Sequence, residues 1–350
     1  MHSRLGLDIG GTQLKMVLAS ASSSPLARVR LTTSALHPEL TFTAGEMSLT
    51  FVSSPTHRLE ETVRLLAERL AYPENAELRE IVAAGGGAHK YGALFRDVLQ
   101  VSLVPFRELQ AAVRGLCFLS AHGPDDELFT VGANGHSPVV WPRPLFPCLL
   151  VNMGSGVSVV RVDGEDDFRR VGGTACGGAT FLGLARALSG VSDFDDLISL
   201  AARGDASRVD KTVGDIYGDD GCADLGMPPQ FTAAHFGKLA GQPTNGHMRA
   251  AAPDTAADMA AALLKMVAQA SVVLAKAYAT HAGCLDRVFF AGGFLQNNEL
   301  ARSLIGTSMA SVGGRAIFCR HSEFLGALGS LSACLRAHGA EDELQSFSMV

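Results

Sequence analysis

Charge is scarce in this chain. Lys and Arg number 29 and Asp and Glu 35, so 18% of the 350 residues are charged and the formal net charge is −6. No block of Lys or Arg reaches motif length, which argues against a nucleic-acid surface. Paired cysteines are absent as well. The seven, Cys117, Cys148, Cys176, Cys222, Cys284, Cys319 and Cys334, are scattered with no C-x-x-C spacing. Such an odd set fits reduced core thiols of a cytoplasmic protein and argues against a zinc site. The first strand pattern begins so near Met1 that no charged and then apolar leader fits ahead of it, again pointing to the cytoplasm. No apolar run reaches the roughly 18 residues of a membrane span. The alanine-rich stretch from Thr255 to Thr280 is interrupted by Asp258, Lys265, Gln269 and Lys276. The Walker sequence Gly-x-x-x-x-Gly-Lys-Ser/Thr is missing, and no dinucleotide fingerprint opens a helix directly after a first strand.

Glycine and apolar residues are abundant: 38 glycines and 47% apolar content, enough for a large core in two domains of ordinary size. The chain is organised around Leu149 to Gly183. Leu149-Leu150-Val151 reads as a buried strand, Gly154-Ser155-Gly156 as a turn, and Val157, Val159 and Val160 as a second strand. Arg169-Arg170-Val171 then leads into a loop expected at Gly172, Gly173, Gly177 and Gly178, with a helix from near Phe181. Glycine clusters between strand and helix leave backbone N–H groups uncovered, and a helix N-terminus adds partial positive charge, so such a surface handles anions.

The N-terminus echoes this stretch. Laid on residues 149–162, residues 5–18 place Asp8 on Asn152, Gly10 on Gly154 and Thr12 on Gly156. Each copy is strand, polar residue, glycine turn, strand, the repeat that a duplicated phosphate clamp requires.

In chain order, the pattern predicts strands over 4–9, 13–19 and 26–33, and short extended pieces around Phe42 and Phe51. A helix follows over 58–71, a strand at 81–84 running into Gly85-Gly86-Gly87, and a helix over 91–99. Val101–Val104 reads as a strand stopped by Pro105. A helix to Leu119 follows with Glu108 on its first turn, where an acid complements the helix dipole. Residues 120–147 read as a loop-rich hinge, so the division expected is 1–145 and 146–350. Further on come helices over 181–188 and 194–202, an irregular lobe over 204–250, a long helix from Pro253 to His281, strands at 287–291 and 316–319, and a closing helix over 323–335. Gly326, Ala327 and Gly329 suit that last helix to close packing. Alternation of strand and helix in two halves gives an α/β class with mixed sheets.

On these residues the chain resembles a known group. Asp8-Ile-Gly-Gly-Thr12 is similar to the first phosphate motif of the actin, sugar-kinase and heat-shock-chaperone superfamily, whose fold is a duplicated ribonuclease-H-like, actin-like ATPase. A narrower likeness, to the eukaryotic-type pantothenate kinases, runs in order along nearly the whole chain. It is carried by Gly85-Gly-Gly-Ala-His-Lys-Tyr91, Val151-Asn-Met-Gly-Ser-Gly-Val-Ser158, Arg170-Val-Gly-Gly-Thr174, Gly177-Gly-Ala-Thr-Phe-Leu-Gly183, Asp210-Lys211 with Asp215-Ile-Tyr-Gly218, and Arg287-Val-Phe-Phe-Ala-Gly-Gly-Phe-Leu295. The resemblance implies ATP-dependent phosphorylation of pantothenate to 4'-phosphopantothenate, with ATP and Mg²⁺. It implies Glu108 as general base, Ser155, Ser158 and Arg170 as contacts to pantothenate and acyl-CoA, and Asp8 as the acid that organises Mg²⁺. Gly10, Gly11, Thr12 and Lys15 match the first phosphate loop, and Gly154 and Gly156 fall in the second. Acetyl-CoA or another acyl-CoA as feedback inhibitor, and a homodimer built on the helix over 255–281, are also implied. The chain departs from the family at Met227-Pro228-Pro229-Gln230, where a tryptophan follows a Leu-Pro-Gly turn in many members, at Ala268-Gln269 in place of an asparagine pair, and in lacking a long N-terminal extension. Two other readings stand beside this one: a non-catalytic subunit partnering an active paralogue, which the presence of Glu108 disfavours, and a sugar or N-acetylhexosamine kinase, whose usual cysteine-rich zinc motif is absent.

Overall fold

In the computed structural model, which describes residues 4–21, 35–70, 79–132, 134–241 and 253–337, the alternation of the first segment sets the first sheet. β1 (Arg4–Ile9) buries Leu5, Leu7 and Ile9 on one face and returns as antiparallel β2 (Gln13–Ala21), with Asp8 opposite Lys15. Outward from β2 lie β3 (Ala35–Leu36), β4 (Phe42–Ala44) and β5 (Met47–Pro55). Helix α1 (Leu59–Leu70) sets Leu59, Val63 and Leu66 against this sheet. β6 (Arg79–Ala84) runs parallel to β1, and after the short α2 (Gly87–Lys90) and α3 (Gly92–Leu99) comes β7 (Val101–Phe106) at the edge. The order is β3-β5-β2-β1-β6-β7 with β4 beside β5.

Helix α4 (Glu108–His122) leaves this sheet, and a hairpin of β8 (Leu128–Gly132) and β9 (Gly135–Val139) follows. Next come β10 (Cys148–Met153), β11 (Val157–Val162) and β12 (Phe168–Thr174), then α5 (Gly178–Ser189) and α6 (Phe194–Ala201). A small lobe holds β13 (Lys211–Thr212), α7 (Gly214–Tyr217) and β14 (Thr232–Ala234). The long α8 (Pro253–Ala282), β15 (Val288–Ala291), α9 (Glu299–Ser311), β16 (Ala316–Cys319) and α10 (Leu325–Ala337) complete the chain. The second sheet has the order β12-β11-β10-β15-β16-β8-β9.

The apolar run in β10 has a physical reason: both faces of the strand are covered. Leu150 packs in a cluster with Leu116 and Leu119 of α4 and Leu328 and Leu331 of α10. Leu149 and Val151 pack with Leu263, Leu264 and Val267 of α8. A central strand so enclosed has no solvated face to make polar. The cluster holding α4 and α10 also takes in Val17, Leu49 and Phe51, so these two helices form the layer between the sheets. Glycines let that layer close. A Cβ on Gly115 of α4 would lie 2.1 Å from the Leu325 carbonyl oxygen, and one on Gly329 of α10 would lie 1.9 Å from that of Ala111.

Several expectations are corrected here. β7 continues through Pro105, paired with Ala83, because an edge strand has a side that needs no N–H. Residues 120–147 carry a hairpin that joins the second sheet through β16, so sheet membership changes ahead of residue 146, and α10 returns to pack on β1 and α4. Phe51 sits in a nine-residue strand, longer than the short piece expected. Gly172 and Gly173 are still within β12, opposite Val159 and Ser158, where a loop was expected. Helix α9 has no counterpart in the sequence reading; its signal was Asn298, whose side chain accepts from the Ala301 N–H at the helix start. The strand expected over 26–33 lies outside the described residues. By length and composition, Thr255–Ala282 of α8 is apolar enough to cross a membrane, but 67% of its qualifying 18-residue window is buried inside the protein, where α8 backs the second sheet. The seven cysteines are all free thiols.

Candidate active site

Both glycine turns form as expected, and they differ by one residue. In the first, the Gly10 N–H donates to the Gln13 carbonyl at 2.9 Å; in the second, Gly154 N–H donates to the Gly156 carbonyl at 2.9 Å. The ungapped echo therefore slips by one. Lys15 stands opposite Asp8 and Ser158 opposite Asn152, so Lys15 and Ser158 hold equivalent places in the two hairpins. The first turn is pinned by Thr56, whose N–H donates to the Thr12 carbonyl at 2.8 Å and whose hydroxyl donates to the Gly10 carbonyl at 3.0 Å. The start of α5 pins the second: Gly178 and Ala179 N–H groups donate to the carbonyls of Gly154 and Ser155. Among the described residues, the amides of Gly11, Thr12 and Ser155 make no such bond, and Gly11, Thr12 and Ser155 are exposed.

The duplication extends further than the turns. β6 runs parallel to β1 and ends at Gly85; β15 runs parallel to β10 and ends at Gly292. Both glycines have positive φ, 83° and 107°. A Cβ on Gly85 would lie 2.9 Å from Asp8 Oδ1, and one on Gly292 would lie 2.7 Å from Asn152 Oδ1. In each half, a left-handed glycine thus lets a neighbouring strand end close against a polar side chain.

Asp8 lies close under α10, since a Cβ on Gly326 would come within 2.4 Å of its Oδ2. Burial pushes its carboxyl above the ordinary range; the Lys15 ammonium opposes that shift and the Glu108 carboxylate adds to it. These three sequence candidates therefore share one electrostatic field. Glu108 is exposed at the first position of α4. Its helix is held by the Gly115 and Ala111 contacts with α10, so the carboxylate stands on a packed element rather than a loop. A single half-buried carboxylate beside a phosphate loop fits Mg²⁺, which is held by one or two carboxylates together with substrate phosphates. Among the described residues no group of three or more His, Cys, Asp or Glu side chains forms a metal cage.

The second sheet carries the other candidates. Arg170 on β12 donates from Nε to Ser158 Oγ on β11 at 3.3 Å, and its guanidinium lies across Gly173, where a Cβ would meet it at 2.3 Å. The exposed guanidinium is free to grip an anion. The ring of Tyr278 from α8 fills the space beside Gly172, a contact the sequence reading missed. No hydrogen bond or ion pair among the described residues joins Arg170 to Glu108. Their elements are tied by Arg114 of α4, which donates to Asp166 in the β11–β12 turn at 2.9 Å. Arg114 lies six positions after Glu108, about 9 Å along the helix. The sequence reading also passed over Glu323, next to the small-residue run of α10.

Comparison with known proteins gives the family. The Fumble family model matches residues 4–333. Pantothenate kinase 2 of Arabidopsis thaliana is 32% identical over 99% of this chain and 40% of its own length; pantothenate kinase 1 of the same plant is 30% identical over 95% of this chain and 85% of its own length. A mouse protein named 4'-phosphopantetheine phosphatase is 32% identical over 93% of this chain and 40% of its own length. The chain thus spans 40% of the length of the first of these relatives. Among solved structures, component A of the (R)-2-hydroxyglutaryl-CoA dehydratase of Acidaminococcus fermentans superposes with a TM-score of 0.51 at 16% identity, covering 97% of this chain and 100% of that one. The activator of the 2-hydroxyisocaproyl-CoA dehydratase of Clostridium difficile with bound ADPNP superposes with a TM-score of 0.50 at 16% identity, covering 99% and 100%. At that identity the likeness is one of fold, the two-sheet actin-like ATPase fold. The chain belongs to the Fumble family, that of the pantothenate kinases whose sequences it matches along almost all of its length.

Proposed function

We propose that this protein transfers the γ-phosphoryl group of ATP to the primary alcohol of pantothenate, giving 4'-phosphopantothenate, the first step toward coenzyme A. The observation that carries this reading is Glu108: an exposed acid at the tip of a packed helix, in the same electrostatic field as the half-buried Asp8 and the Lys15 of the first phosphate loop. A primary alcohol is a poor nucleophile at neutral pH, and a carboxylate positioned to take its proton contributes about 10²–10⁴-fold. The uncommitted amides of Gly11, Thr12 and Ser155 and the ammonium of Lys15 supply donors and charge for the phosphates, with Gly10, Gly154 and Gly156 shaping the turns. Mg²⁺, held near Asp8, would neutralise the phosphate oxygens. Arg170, braced by Ser158 and neighboured by Ser155, suits the one carboxylate of pantothenate.

Likeness alone does not select the activity, since a relative bearing a phosphatase name matches the same stretch; Glu108 favours the kinase over a silent subunit. Incubation with Mg-ATP and pantothenate, read by mass spectrometry, tests it. The expected product is pantothenate plus one phosphoryl group, and phosphorylation of glucose or N-acetylglucosamine instead would decide for a sugar kinase.

Two finer expectations belong to the same reading. The protein acts as a homodimer in the cytoplasm; most of α8 is spent on its own core, and the exposed apolar side chains Ile216, Tyr217, Leu225, Met227 and Phe231 offer a surface for association. Light scattering after size exclusion should give twice the 36.7 kDa chain mass, and a single chain mass would refute the dimer. Acetyl-CoA competes at Ser155, Ser158 and Arg170, which a turnover assay with increasing acetyl-CoA reads directly.

A further inference from the structure

In both glycine turns the carbonyl of the leading glycine is held by a donor from outside the hairpin. The Gly154 carbonyl accepts from the Gly178 N–H of α5 at 2.8 Å, and the Gly10 carbonyl accepts from the Thr56 hydroxyl at 3.0 Å. The amide that follows, of Ser155 or of Gly11, is in each case uncommitted among the described residues. Geometry links the two facts. A carbonyl and the next N–H belong to one planar peptide, and in the trans form they point in opposite directions. Both peptides here are trans. Whatever grips the carbonyl therefore aims the amide the other way. In the first turn Thr56 is buried and Gly11 is exposed, so the Gly11 N–H is turned toward the open side.

The donor differs between the halves. In the second it is a main-chain N–H, which no side-chain substitution removes. In the first it is one hydroxyl. Thr56 opens the short turn Thr56–Arg58 between β5 and α1, and its own N–H donates to the Thr12 carbonyl at 2.8 Å, so it grips the loop on both sides of Gly11. The turn is itself fixed: Ser54 and Thr62 share a buried hydrogen bond of 2.8 Å, and the Thr62 hydroxyl donates to the Arg58 carbonyl at 3.1 Å. Gly11 has no side chain to resist a flip of the Gly10–Gly11 peptide, which would face a carbonyl instead of an N–H toward an incoming anion.

We infer that Thr56 is a positioning residue of the nucleotide site: its hydroxyl holds the Gly10 carbonyl and so keeps the Gly11 amide aimed at the phosphates of a nucleoside triphosphate. The inference rests on the reading of Gly10–Lys15 as a phosphate loop. Without the hydroxyl, the amide must be oriented at the moment of binding, and that ordering lowers the affinity.

Calorimetric titration of Mg-ATP on the full chain, with no acceptor present, tests it. Thr56→Val and Thr56→Ala, which lose the hydroxyl and keep the N–H, should each bind Mg-ATP about fivefold or more weakly than wild type. Thr56→Ser, which keeps the hydroxyl, should stay near wild type. In turnover, KM for Mg-ATP should rise in Thr56→Val and Thr56→Ala while KM for pantothenate holds. Wild-type affinity in a folded variant lacking the hydroxyl would overturn the inference alone. So would a loss in Thr56→Ser as large as in Thr56→Ala, or an equal rise in both KM values, which marks a general loosening of the site. Absence of Mg-ATP binding by wild type would overturn the phosphate-loop reading and the inference with it, which separates the two failures.

Discussion

Asp8 is charged at a cost, and that cost is informative. Burial raises its carboxyl pKa over the ordinary carboxylate value, and Lys15 offsets only part of the shift. A carboxyl raised in the folded state binds its proton more tightly there than in the unfolded chain. Its contribution to stability is therefore present at low pH and lost as pH rises from the ordinary carboxylate range through the folded value. Asp8→Asn removes a charge the fold must bury, so thermal unfolding at neutral pH should move upward while Mg-ATP turnover is lost, the trade-off expected at a functional acid. The gap in melting temperature between variant and wild type should open as pH rises above the ordinary carboxylate range. Arg170 makes a different prediction. Arg170→Lys keeps the charge and loses the planar fork, so KM for pantothenate should rise roughly tenfold or more with a smaller change in kcat. Asp8 stands out in the sequence through the repeated glycine turn and Arg170 through its place between two glycine-rich stretches, while Lys15 enters only through the family resemblance. Glu323 could not be picked out, since the turn that encloses its unpartnered Oε2 meets both sheets only in the folded chain.

At the level of elements, the α4–α10 pair carries the layer between the sheets. Gly115 and Gly329 let the two helices meet backbone to backbone. Gly6 does the same between β1 and α10, where a Cβ would lie 2.2 Å from the Ala327 carbonyl oxygen. Gly329→Ala gains helix propensity, yet its methyl has nowhere to go. The variant should lose about 1–3 kcal/mol by chemical denaturation, and because α4 bears Glu108 at its tip, turnover should fall with it. The small-residue pattern of α10 was readable as a sign of close packing, but its partner was not. Strands were legible where apolar residues are continuous or alternating, as in β1, β2, β10 and β15. β8 and β9 were not, because Gly132, Gly135 and Pro138 mask a hairpin that is set by pairing of β8 with β16, close to 190 positions away. Local pattern holds no record of a partner so distant.

The whole molecule is one motif used twice: a glycine-turned hairpin, a parallel strand ending at a left-handed glycine, and a polar side chain between them. The halves then diverge. The first keeps an aspartate at position 8 with a lysine opposite; the second has Asn152 with Ser158 opposite. In the proposed reaction, that divergence gives the first half the charge and the second the substrate contacts, through Arg170 and Ser158. Glu108 stands at the head of the helix between them, and the account turns on it. The most direct measurement is pantothenate-dependent ADP release by wild type and by Glu108→Gln, with circular dichroism and unfolding matched. The account predicts release only when pantothenate is present and a fall of roughly a hundredfold or more in the variant. Undiminished turnover by folded Glu108→Gln would contradict it.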